Sequence, residues 1–186
     1  MDSLLPIILI RHPALMIPSF YRVASRIHGA RIHGARIDDA EFPINATLRW
    51  SRLVLDYYVA RRRSAGRPIV IDASSLTGPD TETLMAEVCR IAGLEAQFLQ
   101  FEWSRPLEEQ AGGISEGTKV FREAFLGSTG VLKRGKGTGE VVLPEEVRAW
   151  RGEFGDDVAE GILRLVQAAM GDWEYLRGFA LRVGGL

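Results

Sequence analysis

Apolar positions change their period several times along this chain, and each change predicts an element. Ile7-Ile8-Leu9-Ile10 follows Pro6 as an unbroken, largely β-branched run. With no polar alternation, it reads as a parallel strand buried on both faces. Helical spacing takes over from about Leu15 and runs through Tyr21 to Ile27, with Pro18 placed in the first turn. Ala46 to Ala65 predicts a second helix, with Trp50, Val54, Tyr57 and Arg61 on one face and Leu48, Leu55 and Tyr58 on another. Gly66 stops it. Pro68 to Asp72 is a second short buried strand. Gly78-Pro79 then opens a helix striped by Leu84, Val88 and Ile91 and closed by Gly93. Gln97 to Phe101 alternates and reads as a third, weaker strand.

Further on, residues 104–118 read as loop and Thr118 to Leu126 as helix. Gly127 to Gly139 is a basic, glycine-rich loop. Pro144 to Phe154 is helical, and Val158, Ile162, Leu165, Val166 and Ala169 mark another helix. Trp173 to Phe179 closes the chain as a short aromatic helix or turn. Strand and helix alternate at least twice. The expected class is therefore α/β, a small parallel sheet flanked by many helices.

Composition narrows this picture. A chain of 186 residues suits one domain over 1–186. The single cysteine, Cys89, excludes a disulfide framework and any cysteine-based zinc site, and it reads as a small buried hydrophobe. With three histidines, no metal site is expected. His28 and His33 sit beside glycines in a tandem repeat, where Ile27 to Arg31 is copied as Ile32 to Arg36. Such a repeat fits a surface-loop duplication. No apolar run nears the ~18 residues that span a membrane. The start of the chain lacks a basic segment and cleavage site. A cytoplasmic protein with no membrane contact is the expectation.

Charge is unevenly spread. Residues 1–67 hold eleven arginines against five carboxylates, a balance of +6, and the remainder carries −7. An arginine-rich half suits an anionic small-molecule ligand. With a pI near 6.3 and no basic run longer than Arg61-Arg62-Arg63, nucleic acid is not expected. Asp38, Asp39 and Glu41 could serve as acid, base or cation ligands, or could simply be a solvated loop. Ser128 has no recognisable His–Asp partners for a hydrolytic triad.

The strongest chemical signal is Ile10-Arg11-His12-Pro13 followed by Ile17-Pro18-Ser19-Phe20-Tyr21-Arg22. In open α/β sheets, ligands bind beyond the carboxyl ends of strands. Arg11 sits at such an end, and Ser19 follows eight residues later, in the predicted first helical turn. An arginine fork, a hydroxyl and a helix N-terminus together make a phosphate clamp. The alternative is that Arg11 pairs with a carboxylate and Ser19 only caps the helix.

These residues resemble the 3′-phosphate-binding segment of the P-loop sulfotransferase fold. That segment reads Arg-(Asn/His)-Pro after a strand, with a serine eight positions past the arginine. The likeness is to a microbial and fungal branch and extends along nearly the whole chain. It includes Asp72, Gly127-Ser128-Thr129-Gly130, and the stretch from Val147 to Leu176. It implies nucleotide contacts from Arg11 and Ser19, and more loosely from Lys133, Arg134 and Gly135 in the basic loop. It also implies 3′-phosphoadenosine-5′-phosphosulfate, or adenosine bisphosphate, as the ligand. His12 occupies the family's Asn/His position, which suits orienting the turn better than acting as a base.

The family's strand, phosphosulfate loop and helix, expected ahead of this segment, have no counterpart in these residues, and no Gly-x-x-x-x-Gly-Lys-[Ser/Thr] occurs. The resemblance thus implies a truncated domain. Three functions follow as expectations. The first choice is a pathway enzyme acting on a small natural product without sulfuryl transfer, such as a cyclase, isomerase or hydrolase. Its catalytic residues would be unassigned, with His12, Asp38 and Asp39 as weak candidates. The alternatives are a sulfotransferase whose missing lobe comes from another chain, or a non-catalytic scaffold. An exposed strand edge further predicts a homodimer.

Overall fold

The computed structural model describes residues 4–28, 36–61, 67–104, 118–119, 122, 127–131 and 140–183. Two strands, β1 (Ile7–Ile10) and β2 (Ile69–Asp72), pair in parallel with Ile7 opposite Ile69 and Ile10 opposite Asp72. Between them run α1 (Pro13–His28), a short α2 (Glu41–Asn45) and α3 (Arg49–Ala60). After β2 come α4 (Thr81–Ala92), α5 (Leu143–Phe154) and α6 (Asp156–Arg177). The α/β class with a small parallel sheet and many helices is the observed one.

The layers follow from the side chains. Ile8, Ile10 and Val70 point to one face of the sheet and pack with Leu48, which precedes α3, Leu55 of α3, and Trp173 and Leu176 of α6. Ile69 and Ile71 point to the other face and meet Leu84 and Val88 of α4. A separate cluster joins α1, α5 and α6 through Ala14, Ile17, Trp150, Ile162 and Val166. Helix α6 therefore lies at the centre, in contact with α1, α3, α5 and both strands. Its first turn carries Asp156 and Asp157 and its last turn Arg177, charges that complement the helix dipole.

Several sequence expectations are corrected. β1 is buried on one face only: Ile8 and Ile10 are covered, while Ile7 and Leu9 are 52% and 57% exposed. Helix α1 starts at Pro13 rather than Leu15, so Pro18 and Ser19 fall in its second turn and the helix runs on through Pro18. Gln97 to Phe101 forms no strand, since Ala96–Phe98 is a 3-10 turn. The helix marked by Val158 to Ala169 and the short aromatic helix or turn expected after it are one helix of 22 residues, which runs on through Gly161 and Gly171 because the packed face of Ile162, Val166, Ala169, Trp173 and Leu176 is continuous. Helix α2 was not anticipated, since Pro43 lies inside its five residues. Gly93, with φ of +69°, ends α4 by donating its N–H to the Cys89 carbonyl, as its position predicts. Most of the expected helix over Thr118 to Leu126, the repeat at 29–35, and Lys133, Arg134 and Gly135 lie outside the described residues.

Candidate functional site

A cavity of about 740 Å³ opens at the carboxyl ends of both strands. Arg11 and His12 enter it from the end of β1, Asp72 and Ser74 from the end of β2, Leu15 and Met16 from α1, and Trp173 and Arg177 from α6. Glu140 and Val141, which directly follow the basic glycine loop in sequence, complete the wall. Position at the strand ends is what the parallel sheet dictates.

His12 has a structural task first. Its Nδ1 accepts the Ala14 N–H at 3.1 Å, and its carbonyl accepts the N–H groups of Leu15 at 2.9 Å and Met16 at 3.0 Å. With Pro13 lacking a donor, His12 thereby satisfies the first turn of α1 by itself. A neutral ring held this way carries its proton on Nε2. The ring stands edge-on to Trp173, with centroids 4.5 Å apart. Burial pushes the His12 pKa below its ordinary value; Asp72 and Glu146 oppose this and Arg177 reinforces it. His12 is therefore neutral near pH 7 and offers a donor rather than a base.

The cations are arranged differently. No carboxylate among the described residues lies within ion-pair distance of Arg11, so the pairing alternative is not what the structure shows. Burial lowers the Arg11 pKa, and the nearby charge of Arg22 lowers it further. Arg22 itself is clamped by Glu153, with contacts of 2.6 and 2.7 Å. Leu15, Ser19 and Arg22 share one stripe of α1 by their spacing of four and three. Ser19 thus sits between a cavity-wall residue and the cation beside Arg11, although it does not line the cavity itself. It is not a helix cap, that role belonging to His12. The first-turn N–H groups expected to face an anion are taken by His12.

Arg177 was not singled out from the sequence. Its guanidinium lies 4.9 Å from the Trp173 ring centroid, and it lines the same cavity as Arg11. The Trp173–Arg177 spacing of four, at the end of a long helix, was the available signal. Asp72 accepts both the N–H and the hydroxyl of Ser74, at 3.0 and 2.8 Å, which fixes the turn after β2. Asp38 and Asp39 do not reach the cavity. Asp38 pairs with Arg36 at 3.0 Å on the surface, and Asp39 accepts the Arg36 backbone N–H at 2.8 Å. Both serve the turn that precedes α2.

Comparison with known proteins adds a direct finding. Over 96% of its length, the chain is 35% identical to a protein of Metarhizium majus described as Sulfotransferase ppzF. A Metarhizium rileyi protein of the same description is 33% identical over the same share. The likeness supports a sulfotransferase-like family. The chain spans about half, 53%, of the length of either relative. No family model matches the sequence, and no solved structure matches it. No helix among the described residues is long and apolar enough to cross a membrane.

Proposed function

We propose that this chain forms the phosphate-holding part of a sulfotransferase-like nucleotide site. Arg11 carries the reading: it is an exposed cation at the carboxyl end of a strand that lines the cavity, and among the described residues no carboxylate lies within ion-pair distance of it. Arg177 adds a second cation and the Nε2–H of His12 a neutral donor, so the wall suits a phosphate ester. A nucleotide such as adenosine 3′,5′-bisphosphate, or the corresponding phosphosulfate donor, is the ligand class. Ser19, which does not line the cavity, is given to the same ligand by the family resemblance alone. The residues Lys133, Arg134 and Gly135 precede Glu140 of the wall in sequence and are assigned to the same ligand by the family resemblance.

Isothermal calorimetry with adenosine 3′,5′-bisphosphate tests this. Saturable heat is expected, with affinity reduced roughly 10–100-fold in Arg11→Ala, the size of a lost charged hydrogen bond. Absence of heat at millimolar ligand overturns the reading.

A second reading is a small-molecule enzyme that performs no sulfuryl transfer. It calls for a deep apolar pocket, whereas this cavity is lined by Arg11, His12, Asp72, Glu140 and Arg177. Turnover of a small substrate that is indifferent to added nucleotide would support it.

A further inference from the structure

The sheet is finished on one side and open on the other. The outer edge of β2 is closed by the tail: the Leu181 N–H donates to the Val70 carbonyl at 2.8 Å, and Ala180 bridges Val70 in parallel. The face that Ile69 and Ile71 present is covered by α4. β1 has neither protection. The carbonyls of Pro6 and Ile10 accept the N–H groups of Ile69 and Ala73, at 3.0 and 2.8 Å. Peptide groups alternate along a strand, so those of Ile7 and Leu9 face away from β2. Among the described residues, no backbone group pairs with that outer edge. By register, Ile7 and Leu9 share a face with Ile69 and Ile71, yet both are exposed, as is Leu4 at 60%.

This position conflicts with the sequence of the strand. Ile-Ile-Leu-Ile is apolar on both faces, the pattern of an interior parallel strand. Exposed edges ordinarily carry charge or proline to block pairing, and β1 carries no charge. Its outer edge also borders the cavity, which Leu9, Ile10 and Arg11 line.

We propose that β1 is an interior strand whose open edge takes a further parallel strand. That strand comes from polypeptide equivalent to the half of the Metarhizium relatives that this chain does not match. Those relatives hold about as much chain again. A parallel strand would bring its carboxyl end beside Arg11 and extend the cavity wall. A second copy of this chain fits less well. A two-fold axis beside β1 pairs the strands antiparallel and sends the two cavities to opposite ends of the sheet, so neither copy completes the other's site. The proposal stands on the strand edge and the length of the relatives, and it holds whether or not the cavity takes a nucleotide.

Co-expression of the 186-residue chain with the unmatched remainder of the Metarhizium majus protein tests it. The two should copurify in equal amounts, and Ile7→Lys should weaken the complex at least tenfold. Because Ile7 is exposed in the isolated chain, that variant should keep its circular dichroism spectrum. Amide exchange gives an independent reading. In the isolated chain the Ile7 and Leu9 amides should exchange far faster than those of Ile8 and Ile10, and in the complex all four should be slow. Failure of two soluble polypeptides to associate overturns the proposal. So does a two-fold dimer of this chain with Ile7 and Leu9 protected, or a monomer in which all four amides are already slow.

Discussion

His12 has one ring nitrogen committed to the backbone of α1, and two consequences can be measured. Removing the cap in His12→Ala should cost about 1 kcal/mol in urea denaturation at neutral pH. His12→Asn should recover most of it, since a short side-chain oxygen can accept the same N–H. The second consequence is a pH dependence. Because burial lowers the His12 pKa, the unfolded state binds the proton more readily than the native state. Stability contributed by the neutral ring is complete above the unfolded pKa of about 6.5. It is lost as pH falls through the lower native value. A denaturation series from pH 8 to pH 5 should show this decline, and His12→Asn should flatten it. An equally steep decline in the variant would assign it to other groups. The sequence made His12 legible as a turn-orienting residue but placed Ser19 in the first turn. Pro13 itself was the local signal for that start, since proline favours the first helical position, and the His12 cap spans only two residues.

Among the elements, α6 shows how one helix can treat glycine in opposite ways. A Cβ at Gly161 would lie 2.7 Å from Cγ1 and 2.8 Å from Cγ2 of Ile37, while one at Gly171 would meet nothing within 4 Å. Alanine gains helix propensity of about 1 kcal/mol at either site. At Gly171 that gain stands alone, so Gly171→Ala should raise stability by about 1 kcal/mol. At Gly161 the overlap with Ile37 costs ~1–3 kcal/mol and exceeds the gain. Thermal melts of the two variants should shift in opposite directions, and a rise in both would show that Ile37 yields freely. Most helices were legible as amphipathic stripes, α4 and α5 nearly to the residue. The union of the expected helix with the short aromatic helix or turn into α6 was not, because Trp173 packs inward against the sheet and His12, contacts that local spacing does not carry.

For the whole molecule, the uneven charge along the sequence becomes a localised one in space. Arg11 and Arg177 come from opposite ends of the chain and share one cavity with Asp72 and Glu140. A phosphate ligand held there should bind less tightly as salt rises, since part of the site is open to solvent. Calorimetry at 50 and 500 mM salt should show that loss, and salt-independent binding would point to an apolar mode instead. The strand end with Arg11 could be read from the sequence. Arg177 could not, because its approach depends on how α6 crosses the sheet.

The tail bonded to Val70 has a further consequence, for stoichiometry. A sheet closed on one side can be extended only from the other, so any strand that joins through β1 joins once and growth then stops. Open-ended stacking, the route to fibrils, needs two free edges. Leu181→Pro removes the N–H that closes the β2 edge and leaves β1 as it is. In light scattering the wild-type chain should hold a fixed particle size on standing, whereas Leu181→Pro should grow steadily larger. A variant as stable in size as the wild type would show that the tail is not what closes the sheet.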